Sequence, residues 1–69
     1  MNSPTQAPAQ TLTEREASPY IGLSRAWLRQ SRMHGRGPAY IRIGRSVRYL
    51  VRDLDAFLEA HRVVTREVR

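Results

Sequence analysis

The sequence predicts a small α+β domain made of two short helices, a β-hairpin and a closing helix. Three observations carry this. Thr13 and Glu16 stand at the spacing of a helix capping box, residues 40–49 alternate apolar and polar around a glycine turn, and Asp53 and Asp55 open a stripe of Leu54, Phe57 and Leu58 at helical spacing. The chain has 69 residues and a mass of 8.0 kDa, which is room for one domain. A chain of ~60 residues buries only about 60% of its unfolded surface, so no deep catalytic cleft, and no enzyme, is expected. There is no cysteine to supply disulfides or a thiolate zinc site, and His34 and His61 are too far apart for a metal site. Neither metal nor cofactor is expected. No run approaches the ~20 apolar residues of a membrane span, and the first residues lack the order of a secretory signal. A soluble cytoplasmic protein is expected, with no membrane partner.

Each element has its own signal. Residues 1–11, with Pro4 and Pro8 among polar residues and no charged side chain, read as a disordered arm. The first helix follows Thr13, with Leu12 as a hydrophobic staple and Ala17, Tyr20 and Ile21 turned inward. Pro19 inside it predicts a short or kinked helix. Gly22 permits a tight turn, Leu23 points to the core, and Ser24 caps a second helix from Arg25 to about Met33. The segment Gly35, Arg36, Gly37, Pro38 is a loop. Tyr40 to Ile43 and Val47 to Tyr49 form the hairpin across Gly44, Arg45 and Ser46. With a symmetric three-residue turn, Ile43 faces Val47, Ile41 faces Tyr49, and Arg42 stands opposite Arg48. Two like charges so placed either point to water or hold a phosphate between them. The last helix opens near Arg52, with Asp53 and Asp55 in its first turn and an inward stripe of Leu54, Phe57 and Leu58 that His61 can extend, and ends about His61 or Arg62. The domain therefore spans 12–62, and residues 63–69 form a tail that extends the helix, frays or docks on a neighbour.

Charge is the main functional clue. The 12 basic residues are all arginine, against 6 acids, for a net charge of +6. Arginine's planar fork binds phosphate and guanine edges in a two-pronged way that lysine does not, although scattered arginines also simply solvate a surface. Turning the second helix by about 100° per residue from Leu28 puts Ser24 and Ser31 beside Leu28 and Ala26, Gln30 and Met33 opposite. Arg25, Arg29 and Arg32 fall along one flank. Such a helix suits a DNA major groove: small Ala26 allows close approach, Gln30 matches adenine, and Arg25 and Arg29 reach guanine or phosphate. An ordinary amphipathic helix with solvated arginines is the plain alternative. Trp27, on the flank opposite the arginines, either fills the gap between this helix and the hairpin or lies against a deoxyribose. No serine, histidine and acid group as a catalytic set.

The whole segment Leu12 to Arg62 resembles the small excisionase and AlpA-like proteins, whose DNA-binding domain is a MerR-like winged helix-turn-helix. The resemblance rests on the LTEREA opening, the YIGLSRAWLR turn and helix, the GPAYIRIGRSVRY wing and the closing DLDAFLEAHR. It implies base contacts by Arg25, Ala26, Arg29 and Gln30, backbone contacts by Ser24 and Arg32, and wing contacts by Arg42, Arg45, Ser46 and Arg48. This chain departs from the family pattern in Pro19, in Trp27 where a small polar residue is frequent, and in Ser31 where many relatives carry tryptophan. The implied function is that of an excisionase, or recombination directionality factor, of a bacterial or phage mobile element. Such a protein acts at the nucleoid, binding and bending attachment-site double-stranded DNA for a tyrosine recombinase (integrase). Because a single small domain covers only about 600–1,000 Å² on DNA, cooperative self-association along the DNA is expected. An AlpA-like transcriptional regulator using the same domain is the alternative, and a protein-interaction adaptor the more distant one.

Overall fold

A computed structural model describes residues 10–65. In chain order these form β1 (Thr11–Thr13), α1 (Glu14–Ile21), α2 (Arg25–Met33), β2 (Ile41–Ile43), β3 (Ser46–Leu50) and α3 (Val51–Ala60). The strands make one antiparallel sheet in the order β1-β3-β2. The expected α+β domain is present, with a third strand added to the hairpin. Thr11, expected in the arm, belongs to that strand and pairs with Leu50. Residues 1–9 of the expected arm and 66–69 of the tail lie outside the described residues.

Local chemistry explains the helix boundaries. Thr13 Oγ1 accepts from the Glu16 N–H at 3.1 Å while the Thr13 N–H donates to Glu16 Oε1 at 2.9 Å, so the capping box closes both ways. Pro19 removes one internal hydrogen bond, and α1 runs only to Ile21. Gly22 then takes a left-handed φ of 76°, donating its N–H to the Ser18 carbonyl at 2.9 Å. The Ser18 hydroxyl fastens the turn by donating to the Leu23 carbonyl at 2.6 Å. Ser24 caps α2, its Oγ accepting from the Trp27 N–H at 3.0 Å.

The core consists of Ala17, Ile21, Leu28, Tyr49 and Leu54, with Leu12, Trp27 and Val47 packed against it. Burying apolar surface of this kind contributes about 25 cal/mol per Å², and here the buried set draws on both helices of the turn, the sheet and α3. Three residues expected inside, Leu23, Tyr20 and Leu58, are exposed. Leu23 lies in the three-residue link between helices and is exposed, since Ile21 already occupies the inward position. Tyr20 is also exposed, and its hydroxyl donates to Asp55 at 2.6 Å, tying α1 to α3. Asp55 is therefore not a first-turn residue. Because α3 begins at Val51, only Asp53 holds that position.

The hairpin differs from expectation by one residue. Ile43 pairs with Ser46, Arg42 with Val47 and Ile41 with Arg48. The turn is thus Gly44-Arg45, with Gly44 at φ 60° in the first central position, a two-residue form whose twist matches that of the strands. The two-residue turn sets the register by placing Ile43 opposite Ser46. Tyr49 pairs with Leu12 of β1, and the two-residue period of a strand then places Leu12, Val47 and Tyr49 together against the helices. Arg42 and Arg48 consequently stand on opposite faces and form no like-charge pair.

The loop after α2 folds back onto that helix. The Arg36 N–H donates to the Ser31 carbonyl at 2.7 Å, and Ser31 is buried with its hydroxyl donating to the Leu28 carbonyl at 2.9 Å. Gly37 passes over this serine with φ 89°, and a Cβ there would lie 2.5 Å from Ser31 Oγ. Only glycine satisfies both demands. Trp27 packs on Phe57 of α3, with ring centroids 5.8 Å apart, and against the buried core.

Candidate nucleic-acid interface

The exposed side of α2 carries Ala26, Gln30 and Met33, while Leu28 and Ser31 are buried beneath. The flanking arginines are not loose. Arg25 Nε lies 3.6 Å and Arg29 Nη2 3.3 Å from Glu14 Oε1, and Arg32 Nη1 lies 3.2 Å from Glu14 Oε2. Arg32 also donates to the Tyr49 hydroxyl at 2.8 Å and sits over the Tyr40 ring. The side chains of Glu14 and Arg32 are only 16% and 15% exposed, whereas those of Arg25 and Arg29 are about half exposed. One carboxylate thus aligns a row of guanidinium groups, two of them still open to a ligand. Arg32, expected to hold DNA backbone, is engaged between α1 and the sheet.

Burial alone would raise the Glu14 carboxyl, but hydrogen bonds and charge from Arg29 and Arg32 outweigh it and hold the group below its ordinary value. Burial pulls the other way on Arg32. Its bonds to Tyr49 and Glu14 prevail, and the guanidinium remains firmly charged. Sequence reasoning passed over Glu14, yet a signal existed. Between Ala17 and Val51 the chain has seven arginines and no carboxylate, so a partner for them had to come from elsewhere. The capping box occupies Glu16, which leaves Glu14 as the acid of α1 facing α2.

The hairpin supplies a second set. Arg45 occupies the turn and Ser46 opens β3, both exposed. Arg42 lies over the Tyr40 ring at 5.9 Å, and half-buried Arg48 donates to the Val47 carbonyl at 3.2 Å. Among the described residues, none of these arginines is ion-paired. Helix and hairpin meet across an open groove of about 560 Å³. It is lined by Arg25 and Arg32 of α2, by Arg45, Ser46, Val47 and Arg48 of the hairpin, and by Thr13, Glu14 and Arg15. Arg29, Ala26 and Gln30 lie outside this groove on α2, and Gln30 borders a smaller hollow with Trp27, Ser31, His34 and Arg36. Ser24 is exposed at the start of α2, its hydroxyl used in the cap. Trp27 is half-buried and belongs to the packing between α2 and α3.

A capped second helix after a glycine turn, flanked by a basic hairpin, is a winged helix-turn-helix, an architecture for sequence-specific DNA binding. A model of the helix-turn-helix domain matches residues 11–62. That covers well over half of the chain, which belongs to this family, the helix-turn-helix domains of excisionase and AlpA-like proteins. Members are typically DNA-binding rather than enzymatic. No match is found among curated proteins. Among the described residues, no helix is long and apolar enough to cross a membrane.

Proposed function

We propose that α2 enters the major groove of double-stranded DNA while the β2-β3 hairpin follows the adjacent phosphate backbone. The observation that carries this reading is the groove shared by the two arginine sets, with Arg25 on the helix side and Arg45 and Arg48 on the hairpin side. Its spread of positive charge suits a strand of phosphates better than a compact anion. In this reading Gln30 and Arg29 read bases, and Ala26 permits the approach. Ser24 offers the start of α2 to a phosphate, Arg42, Arg45, Ser46 and Arg48 form the wing contacts, and Arg32 acts by fixing the helix.

The particular role we propose is that of an excisionase, a recombination directionality factor acting with a tyrosine recombinase at a mobile element's attachment site. Family membership supports this role, and the small size of the interface favours several copies associating along bent DNA. Binding is tested first: with ~6 phosphates contacted, log affinity for a duplex should fall with a slope of about −5 against log salt. No affinity for duplex DNA at low salt removes the reading. The role is then tested by excision with and without the protein, in parallel with a promoter reporter. A response confined to the promoter would make the chain a transcriptional regulator instead.

A further inference from the structure

We propose that Glu14 is a specificity-determining residue, an internal competitor that keeps Arg25 and Arg29 from gripping phosphates of the wrong sequence. This rests on the DNA-binding reading above. Glu14 is on α1, outside the helix that carries the reading face, yet its carboxylate draws arginines from three successive turns of α2 at 3.2–3.6 Å. Its side chain also lines the groove between helix and hairpin.

Two consequences follow from that position. Arg25 and Arg29 must loosen their hold on Glu14 to bond DNA fully, so any sequence that offers only backbone oxygens exchanges one anionic partner for another with little gain. A matching sequence adds base acceptors, which Glu14 does not rival. The carboxylate is also a like charge beside any phosphate lodged in the groove, and such a repulsive element raises discrimination by weakening incorrect complexes more than correct ones. Arg32 remains in place in either case. Its bond to Tyr49 and its burial hold it, so Glu14 keeps a counter-charge when the outer arginines turn away.

The test is Glu14→Gln in the full chain. Its affinity is compared with that of wild type on a duplex selected by the wild-type protein from a randomised pool and on a random duplex of equal length, over a range of salt. The variant should bind the random duplex about three- to ten-fold more tightly at low salt while changing little on the selected one, and its salt slope should steepen by about one. Unchanged discrimination and slope in a folded variant overturn the proposal. Wild-type protein that binds no duplex overturns the DNA-binding reading itself, which is a separate result. Should the variant fail to fold, NMR of the Glu14 carboxylate in the wild-type chain decides. The selected duplex should shift that resonance as Arg25 and Arg29 leave, and the random duplex should not. Equal shifts with both duplexes overturn the proposal.

Discussion

The arginines of α2 and those of the hairpin are the same residue type in different conditions. On α2 they converge on Glu14, and one is nearly enclosed. On the hairpin they have no ion-pair partner among the described residues and lie about a turn and its flanking strands. An exposed long cation keeps much of its rotamer freedom and hydration until it meets an anion, whereas Arg32, paired and partly buried, has already lost most of both. In the proposed function the helix therefore presents directions and the hairpin presents charge. Specific recognition needs the former, and general affinity for a polyanion needs only the latter.

The sharpest way to break the contrast is to disturb the joint between the two regions. Gly37 leads the chain from α2 toward the hairpin at φ 89°, and a methyl there would meet Ser31 at 2.5 Å. Gly37→Ala should lower unfolding stability by about 3 kcal/mol, combining left-handed strain with overpacking. Chemical denaturation measures it, and a loss below half that figure would show that the loop relaxes freely. Next in size is Arg32→Ala, which strips Glu14 and Tyr49 of a shared, part-buried partner. A loss of about 1–3 kcal/mol is expected, whereas Arg45→Ala on the exposed turn should stay within about 0.5 kcal/mol. Equal stabilities for the two variants would erase the distinction drawn between the regions.

Acid provides a smaller perturbation of the same kind. The Glu14 carboxyl is lowered in the folded chain, so its contribution is fully present above its unfolded value near 4.5 and is lost as pH falls through the lower folded value. Melting temperature should therefore drop more steeply below about pH 4.5 in wild type than in Glu14→Gln. Parallel curves would mean that the carboxylate contributes nothing to the folded state.

What could be read in the sequence follows a physical boundary. The capping box at Thr13 and Glu16, the Ser24 cap and the span of α2 depend on residues within one turn of each other, and each was legible. The hairpin register was not, because alternation around Gly44 fits a two- or a three-residue turn equally well. The choice shows only in the backbone of the turn, where Gly44 takes φ 60° as the first of two central residues. Glu14 and the partner of Trp27 were missed for a related reason. Their contacts join elements whose relative placement no local pattern encodes, although the long carboxylate-free stretch hinted at the former. DNA-binding measurements decide the roles of Arg25, Arg29, Gln30 and the hairpin arginines.

The most direct test compares Gln30→Ala and Arg45→Ala on the selected and the random duplex, with wild type as reference. Arg45→Ala should weaken both duplexes by the same factor and make the salt slope shallower by about one. Gln30→Ala should weaken the selected duplex by about 1–3 kcal/mol and leave the random one unchanged. Equal losses on both duplexes from Gln30→Ala would contradict the division between a reading helix and a gripping wing.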